Sequence, residues 1–131
     1  MKFIMMMNAP YGTGGWDMDW PKERLRAHID FMLKFNAELR GQGKLLAAEG
    51  LAPPGAARIV RAHPDGSPEV TDGPYPETKE FLAGYWIVQV DSADEAYALA
   101  AKASLAPGPN GAPMRIRIEV REVQSAPPVP D

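Results

Sequence analysis

The sequence predicts an α+β fold, a ferredoxin-like sandwich in which helices cover one face of an antiparallel sheet. Three observations predict it. The first strand is apolar on both faces, two amphipathic helices are separated by short strands, and the last strand alternates strictly between apolar and charged residues. The order reads β-α-β-β, a hairpin return, then β-α-β, which adds an extra β-hairpin to the basic sandwich. At 131 residues the chain suits one domain with one core, placed at residues 1–123 with a flexible Pro-rich tail at 124–131.

Lys2 to Met7 form the first strand. Phe3, Met5 and Met7 point one way, and Ile4 and Met6 point the other. A strand apolar on both sides is central in its sheet. The stretch "NAPYGTGGWDMDW" then reads as a Gly-rich loop. The first helix is expected from about Pro21 to Arg40, capped by Asp19 or Trp20 with Pro21 in its first turn. Leu25, Ile29, Met32, Asn36 and Leu39 share one face. Arg26, Asp30, Lys34 and Glu38 form a solvated ladder opposite. "GQG" at 41–43 stops the helix.

"KLLAAEGL" (44–51) and "ARIVRAH" (57–63) read as strands, and "PDGS" (64–67) turns the chain back into a short "EVT" segment. "LAGYWIVQV" (82–90) is a further strand with little polar surface on either side. Ser92 and Glu95 have capping-box spacing at the start of the second helix. Met114, Ile116, Ile118 and Val120 alternate with Arg115, Arg117, Glu119 and Arg121 in the last strand. Large apolar groups on the face away from the helices predict a homodimer.

Composition excludes several classes of function. The chain has no cysteine, so it carries no disulfide and no thiolate site, which fits a cytoplasmic location. A net charge of -3 supplies no basic field for nucleic acid. No apolar run has the length of a membrane span, and "MKFIMMMNAP" reads as a strand, not as a leader. Two histidines without ligand spacing predict no metal, and "GTGG" at 12–15 has neither dinucleotide nor P-loop spacing, so no cofactor is expected.

His28 stands out among the ionisable groups. With Met32 at the centre of the apolar arc, steps of about 100° put His28 roughly 40° from that centre, facing the sheet. A helix histidine satisfied by a backbone carbonyl is the plain reading, and an acid/base group in a semi-buried pocket is the functional one. The stretch "TDGPYPETKE" (71–80) sets an Asp-Gly-Pro turn, an aromatic, a second proline and more charge directly before an apolar strand. It is either an architectural clamp or a rigid mount presenting Asp72, Tyr75 and Glu77 at a cleft. Arg115 is a candidate for holding a carboxylate. His63 is expected to be exposed at a hairpin tip.

"VTDGPYPETKEFLAGYWIVQVDSADEAYALAAKAS" resembles the signature of the YCII-related superfamily, in its Asp-Gly-Pro-Phe (DGPF) branch. Asp72-Gly73-Pro74 match that motif, and Tyr75 stands for its phenylalanine. The resemblance implies a ferredoxin-like fold paired as a dimeric α/β barrel. It also implies a helix histidine, here His28, proposed to work with an aspartate, for which Asp72 is the candidate. One relative in that superfamily is a dehydrochlorinase of a chlorinated muconate-type acid. Branch members also resemble domains found with alternative sigma factors, which implies a protein partner in transcriptional regulation. The expected role is a small-ligand-binding or accessory module. The alternative is a cofactor-independent lyase or isomerase of a small organic acid, with His28 as base, Asp72 orienting it and Arg115 holding the acid.

Overall fold

The computed structural model describes residues 1–10, 20–74, 79–126 and 129–130. Its elements run β1 (Lys2–Pro10), α1 (Lys22–Gly41), β2 (Leu45–Gly50), a short 3-10 turn (Pro54–Ala56), β3 (Arg58–Ala62), β4 (Pro68–Asp72), β5 (Glu80–Gln89), α2 (Ala93–Ala103) and β6 (Ile118–Glu122). Four strands form an antiparallel sheet in the order β2-β5-β1-β6, and β3 and β4 form a separate hairpin. This is the strand order of a ferredoxin-like α+β sandwich with an inserted hairpin.

β1 is central, as its two apolar faces require. Phe3, Met5, Met7 and Ala9 are buried, whereas Ile4, Met6 and Asn8 between them are half-buried. The buried set joins Trp86 and Val88 of β5, Phe35 and Leu39 of α1, and Ala96, Ala100 and Ala103 of α2 in one core. The small residues of α2 let that helix lie close to the sheet. Met5 and Val88 are fully enclosed, each worth about 1.5–3 kcal/mol of burial. Ile4 pairs with Ile87, and Met6 with Tyr85, on the opposite face.

Local signals set the helix ends. Ser92 caps α2 by accepting a hydrogen bond from the Glu95 backbone N–H at 3.2 Å. The Glu95 carboxylate reaches back to the Asp91 N–H, one residue before the cap. At the end of α1, the Gly43 N–H bonds to the Arg40 carbonyl and the Lys44 N–H to the Leu39 carbonyl, with Gly43 left-handed at φ 70°. These two bonds form a Schellman motif.

Three expectations are corrected. Pro21 is itself the residue that precedes α1 and it makes no side-chain cap; Asp19 lies outside the described residues. α1 is also rolled about its axis relative to the expected face. His28 and Leu39 are buried as expected, and Phe35 joins them, while Ile29 of the expected face is 43% exposed, because Phe35 seats edge-on against Trp86 with ring centroids 5.7 Å apart. The last strand is shorter than its alternation implies. Residues 114–117 precede β6 without joining the sheet, and Arg115 breaks the extended run with φ 54°.

Gly84 fixes the spacing between β2 and β5. A Cβ there would lie 2.9 Å from the Glu49 carbonyl oxygen, a backbone atom that cannot swing aside. Gly84→Ala is expected to pry β2 from β5 and cost about 1–3 kcal/mol, read by urea denaturation. A loss below about 0.5 kcal/mol, the size of an ordinary surface substitution, would contradict this close approach.

Candidate functional site

Between α1 and the β2–β5 edge of the sheet lies an open cavity of about 270 Å³. Met7, Ile29, Met32, Leu33, Ala48, Leu51 and Ala83 give it an apolar wall, and His28, Asn36 and Trp86 add polar side chains to it; Glu49 and Tyr85 also border it, although their register turns their side chains to the other face of the sheet. The exposed Ile29 and Leu33, which the core does not use, belong to this lining.

His28 is buried at 5% exposure. Its Nδ1 lies 3.0 Å from the Pro107 carbonyl oxygen. A carbonyl can only accept, so Nδ1 carries the hydrogen and Nε2 is the basic nitrogen. The Trp20 ring meets the imidazole edge-on at 5.1 Å. Burial pulls the His28 pKa below its ordinary value, and the Pro107 bond opposes that shift without cancelling it. The ring is therefore neutral near pH 7.

Asn36 is fixed from the sheet side. The Trp86 indole N–H donates to its Oδ1 at 2.7 Å. An indole nitrogen only donates, so the amide orientation is determined and Nδ2 is left as a donor. Nδ2 has no acceptor among the described residues. Glu49, on the edge strand β2, is paired in register with Tyr85 and so turns its side chain to the sheet face away from Asn36.

Among the described residues, the sequence-predicted site residues are not brought together. His28 lines the cavity, but Asp72 lies at the end of β4 with its side chain 97% exposed. Its carboxylate faces Arg58 at 3.7 Å across the hairpin, not the imidazole. The partner of the His28 ring at Nδ1 is a backbone carbonyl. Arg115 lines a different cleft, between α2 and the segment leading into β6, beside Tyr97 and Ser104. Tyr75 and Glu77 lie outside the described residues. His63 is exposed at the hairpin, 3.5 Å from Glu69.

The Asp-Gly-Pro stretch acts first as a clamp. The Gly73 N–H bonds to the Ala57 carbonyl at 3.0 Å, and a Cβ on Gly73 would press on Ala57 at 3.2–3.3 Å. Arg58 completes the clamp by donating to the Ala57 carbonyl while facing Asp72. Pro74 then borders a second cleft, with Leu51, Pro53 and Phe81, that shares Leu51 with the His28 cavity. Sequence reasoning missed Asn36 as a site residue. A polar Asn36 within an otherwise apolar helix face was a usable signal.

Comparison with known proteins places this geometry among relatives. The model of the YCII-related domain matches residues 1–112. An uncharacterised protein of Rhizobium meliloti (strain 1021) is 40% identical over 93 residues, covering 71% of this chain and 71% of that protein. Among the described residues no group of three or more His, Cys, Asp or Glu side chains is placed to hold a metal. No described helix is long and apolar enough to cross a membrane.

The neutral His28 carries a pH signature. Its folded pKa lies below the ordinary 6.5, so the unfolded chain takes up the proton first as pH falls. Its contribution to stability is complete above about pH 6.5 and is lost as pH falls through the folded pKa. Thermal unfolding between pH 7.5 and 5.5, above the carboxylate range, should show a decline in midpoint that His28→Phe removes. Parallel profiles for the two proteins would contradict a buried neutral imidazole.

Proposed function

This chain belongs to the YCII-related domain family, and from that membership we propose that it is a small-molecule-binding module whose ligand enters the cavity between α1, β2 and β5. The observation that carries the reading is the convergence of the Asn36 amide and the His28 ring on an apolar cavity with an open mouth. Small-molecule sites commonly combine an apolar wall with a few fixed polar groups. Trp86 holds the amide in one orientation, so a ligand carbonyl or hydroxyl meets a donor already in place. The DGPF-branch motif serves this reading as scaffold, tying the hairpin root to the start of β5.

Base catalysis is the second reading, and the neutral His28 favours it. With Nδ1–H held by Pro107, the neutral ring carries its basic lone pair on Nε2. In that reading the Pro107 carbonyl has the orienting role expected of Asp72, which is engaged with Arg58. Reaction on a small organic acid would also require a cation at the cavity, and Arg115 lines another cleft. The balance favours binding.

The assembly proposed with this function is a homodimer paired through the sheet face that neither helix covers. Ile4, Met6, Tyr85 and Ile87 run along its centre, flanked by Arg121 and Glu119 on the β6 side and by Glu49 on the β2 side. That pattern of apolar centre and charged margin supports pairing with a second copy.

Titration with 2-phenylethanol, followed by the Trp86 indole N–H resonance, tests the binding reading. A saturable shift that Ala48→Leu suppresses by filling the cavity is expected. A shift that persists unchanged in Ala48→Leu would place the alcohol elsewhere. Sedimentation equilibrium tests the assembly: the wild type should sediment at twice the 14.3 kDa chain mass, and Met6→Glu should sediment as a monomer. A monomeric wild type at micromolar concentration would overturn the dimer.

A further inference from the structure

We infer that the cavity between α1, β2 and β5 selects uncharged carbonyl compounds with an aromatic body over organic acids and amines, and that Asn36 sets this choice. The inference rests on the binding reading above and adds the chemical class of the ligand to it.

The cavity has room because two glycines face α1. Ala48 pairs with Trp86 and Gly50 with Gly84 in register, so all four lie on the sheet face that Trp86 turns toward Phe35 and Asn36. Gly50 and Gly84 put no side chain there, and a Cβ on Gly50 would meet nothing within 4 Å. Across from them, His28, Ile29, Met32, Leu33 and Asn36 bring one stripe of α1 to the same space.

Among the described residues, no formal charge faces this space. Glu49 borders it, but its pairing with Tyr85 turns the carboxylate to the opposite sheet face. The lining includes no lysine or arginine, and burial keeps the His28 ring neutral near pH 7. A carboxylate or ammonium group entering here would give up water without meeting a counter-ion, and an uncharged acceptor gives up far less.

The Asn36 amide supplies what such an acceptor needs. Its Oδ1 is taken by the Trp86 indole at 2.7 Å, and Nδ2 remains a donor with no acceptor among the described residues. A carbonyl oxygen accepts from Nδ2 and brings no hydrogen that itself needs a partner, whereas an ammonium group offers only donors. Met7 and Met32, in the lining with Trp86, give polarisable surface for an aromatic body.

Three probes share a phenylethyl body and differ in the polar end: 4-phenyl-2-butanone, 3-phenylpropanoate and 3-phenylpropylamine. Each is titrated at pH 7.5 into the full chain and followed by the Trp86 indole resonance. The ketone is expected to bind on the order of tenfold more tightly than either charged probe. Asn36→Asp keeps an oxygen for the Trp86 indole and replaces the donor with an acceptor, so it should weaken the ketone about fivefold and strengthen the amine. Gly50→Val fills the cavity from the sheet side and should suppress ketone binding. The order of the three probes in the wild type decides the selection even where Asn36→Asp does not fold. An acid or amine that matches the ketone, or ketone affinity unchanged in Asn36→Asp or Gly50→Val, overturns the inference. The cavity reading survives that result if 2-phenylethanol still gives a saturable shift that Ala48→Leu suppresses. If neither the three probes nor the alcohol shifts the resonance, both fail.

Discussion

The hydrogen bond from the Trp86 indole to Asn36 organises this molecule more than any other polar contact. It joins residues 50 positions apart, one on the sheet and one on α1. Trp86 is buried, and its ring also takes the edge of Phe35. Leaving a buried indole N–H without an acceptor costs about 1–3 kcal/mol, so the bond restricts how far α1 can roll over the sheet. That restriction sets which side chains of α1 enter the core and which remain to line the cavity. Phe35 and Leu39 go inward, while Ile29 and Leu33 stay exposed at the cavity.

A second set of contacts holds the other end of α1. His28 bonds to the Pro107 carbonyl, and the Arg24 guanidinium lies over Gly111 where a side chain would collide with it. The loop from 107 to 113 is closed on itself by a bridge between Pro107 and Pro113 and by Asn110 accepting from the Ala112 N–H. His28 thus belongs both to a structural tie and to the cavity wall. Its neutral state follows from burial, and that state makes it a hydrogen-bonding group near neutral pH instead of a counter-ion for an acid.

Much of this was legible in the sequence. The doubly apolar β1, the Ser92 cap and the chain reversal at residues 64–67 follow from local chemistry and recur in the structure. The facing pair Arg58 and Asp72 was also readable, since a turn at 64–67 puts residues whose numbers sum to a constant opposite one another, and Ala62↔Pro68 extends to Arg58↔Asp72. Applied to Asp72, that register would have removed it from the partners of His28. The roll of α1 was not legible. The helix carries two neighbouring apolar stripes, Leu25-Ile29-Leu33 and Phe31-Phe35-Leu39, and periodicity alone does not choose between them. Packing of Phe35 on Trp86 chooses. The late start of the last strand was hidden for a related reason, because alternation already runs through residues 114–117 while the backbone turns away at Arg115.

Crystals of the full chain soaked with a library of small fragments would test the central claim most directly. The account predicts that bound fragments gather between α1 and the β2–β5 edge, against Trp86 and within hydrogen-bonding distance of Asn36 Nδ2. A cavity closed by Met32 and Leu33, with fragments found only at the Pro74 cleft or between α2 and β6, would contradict it.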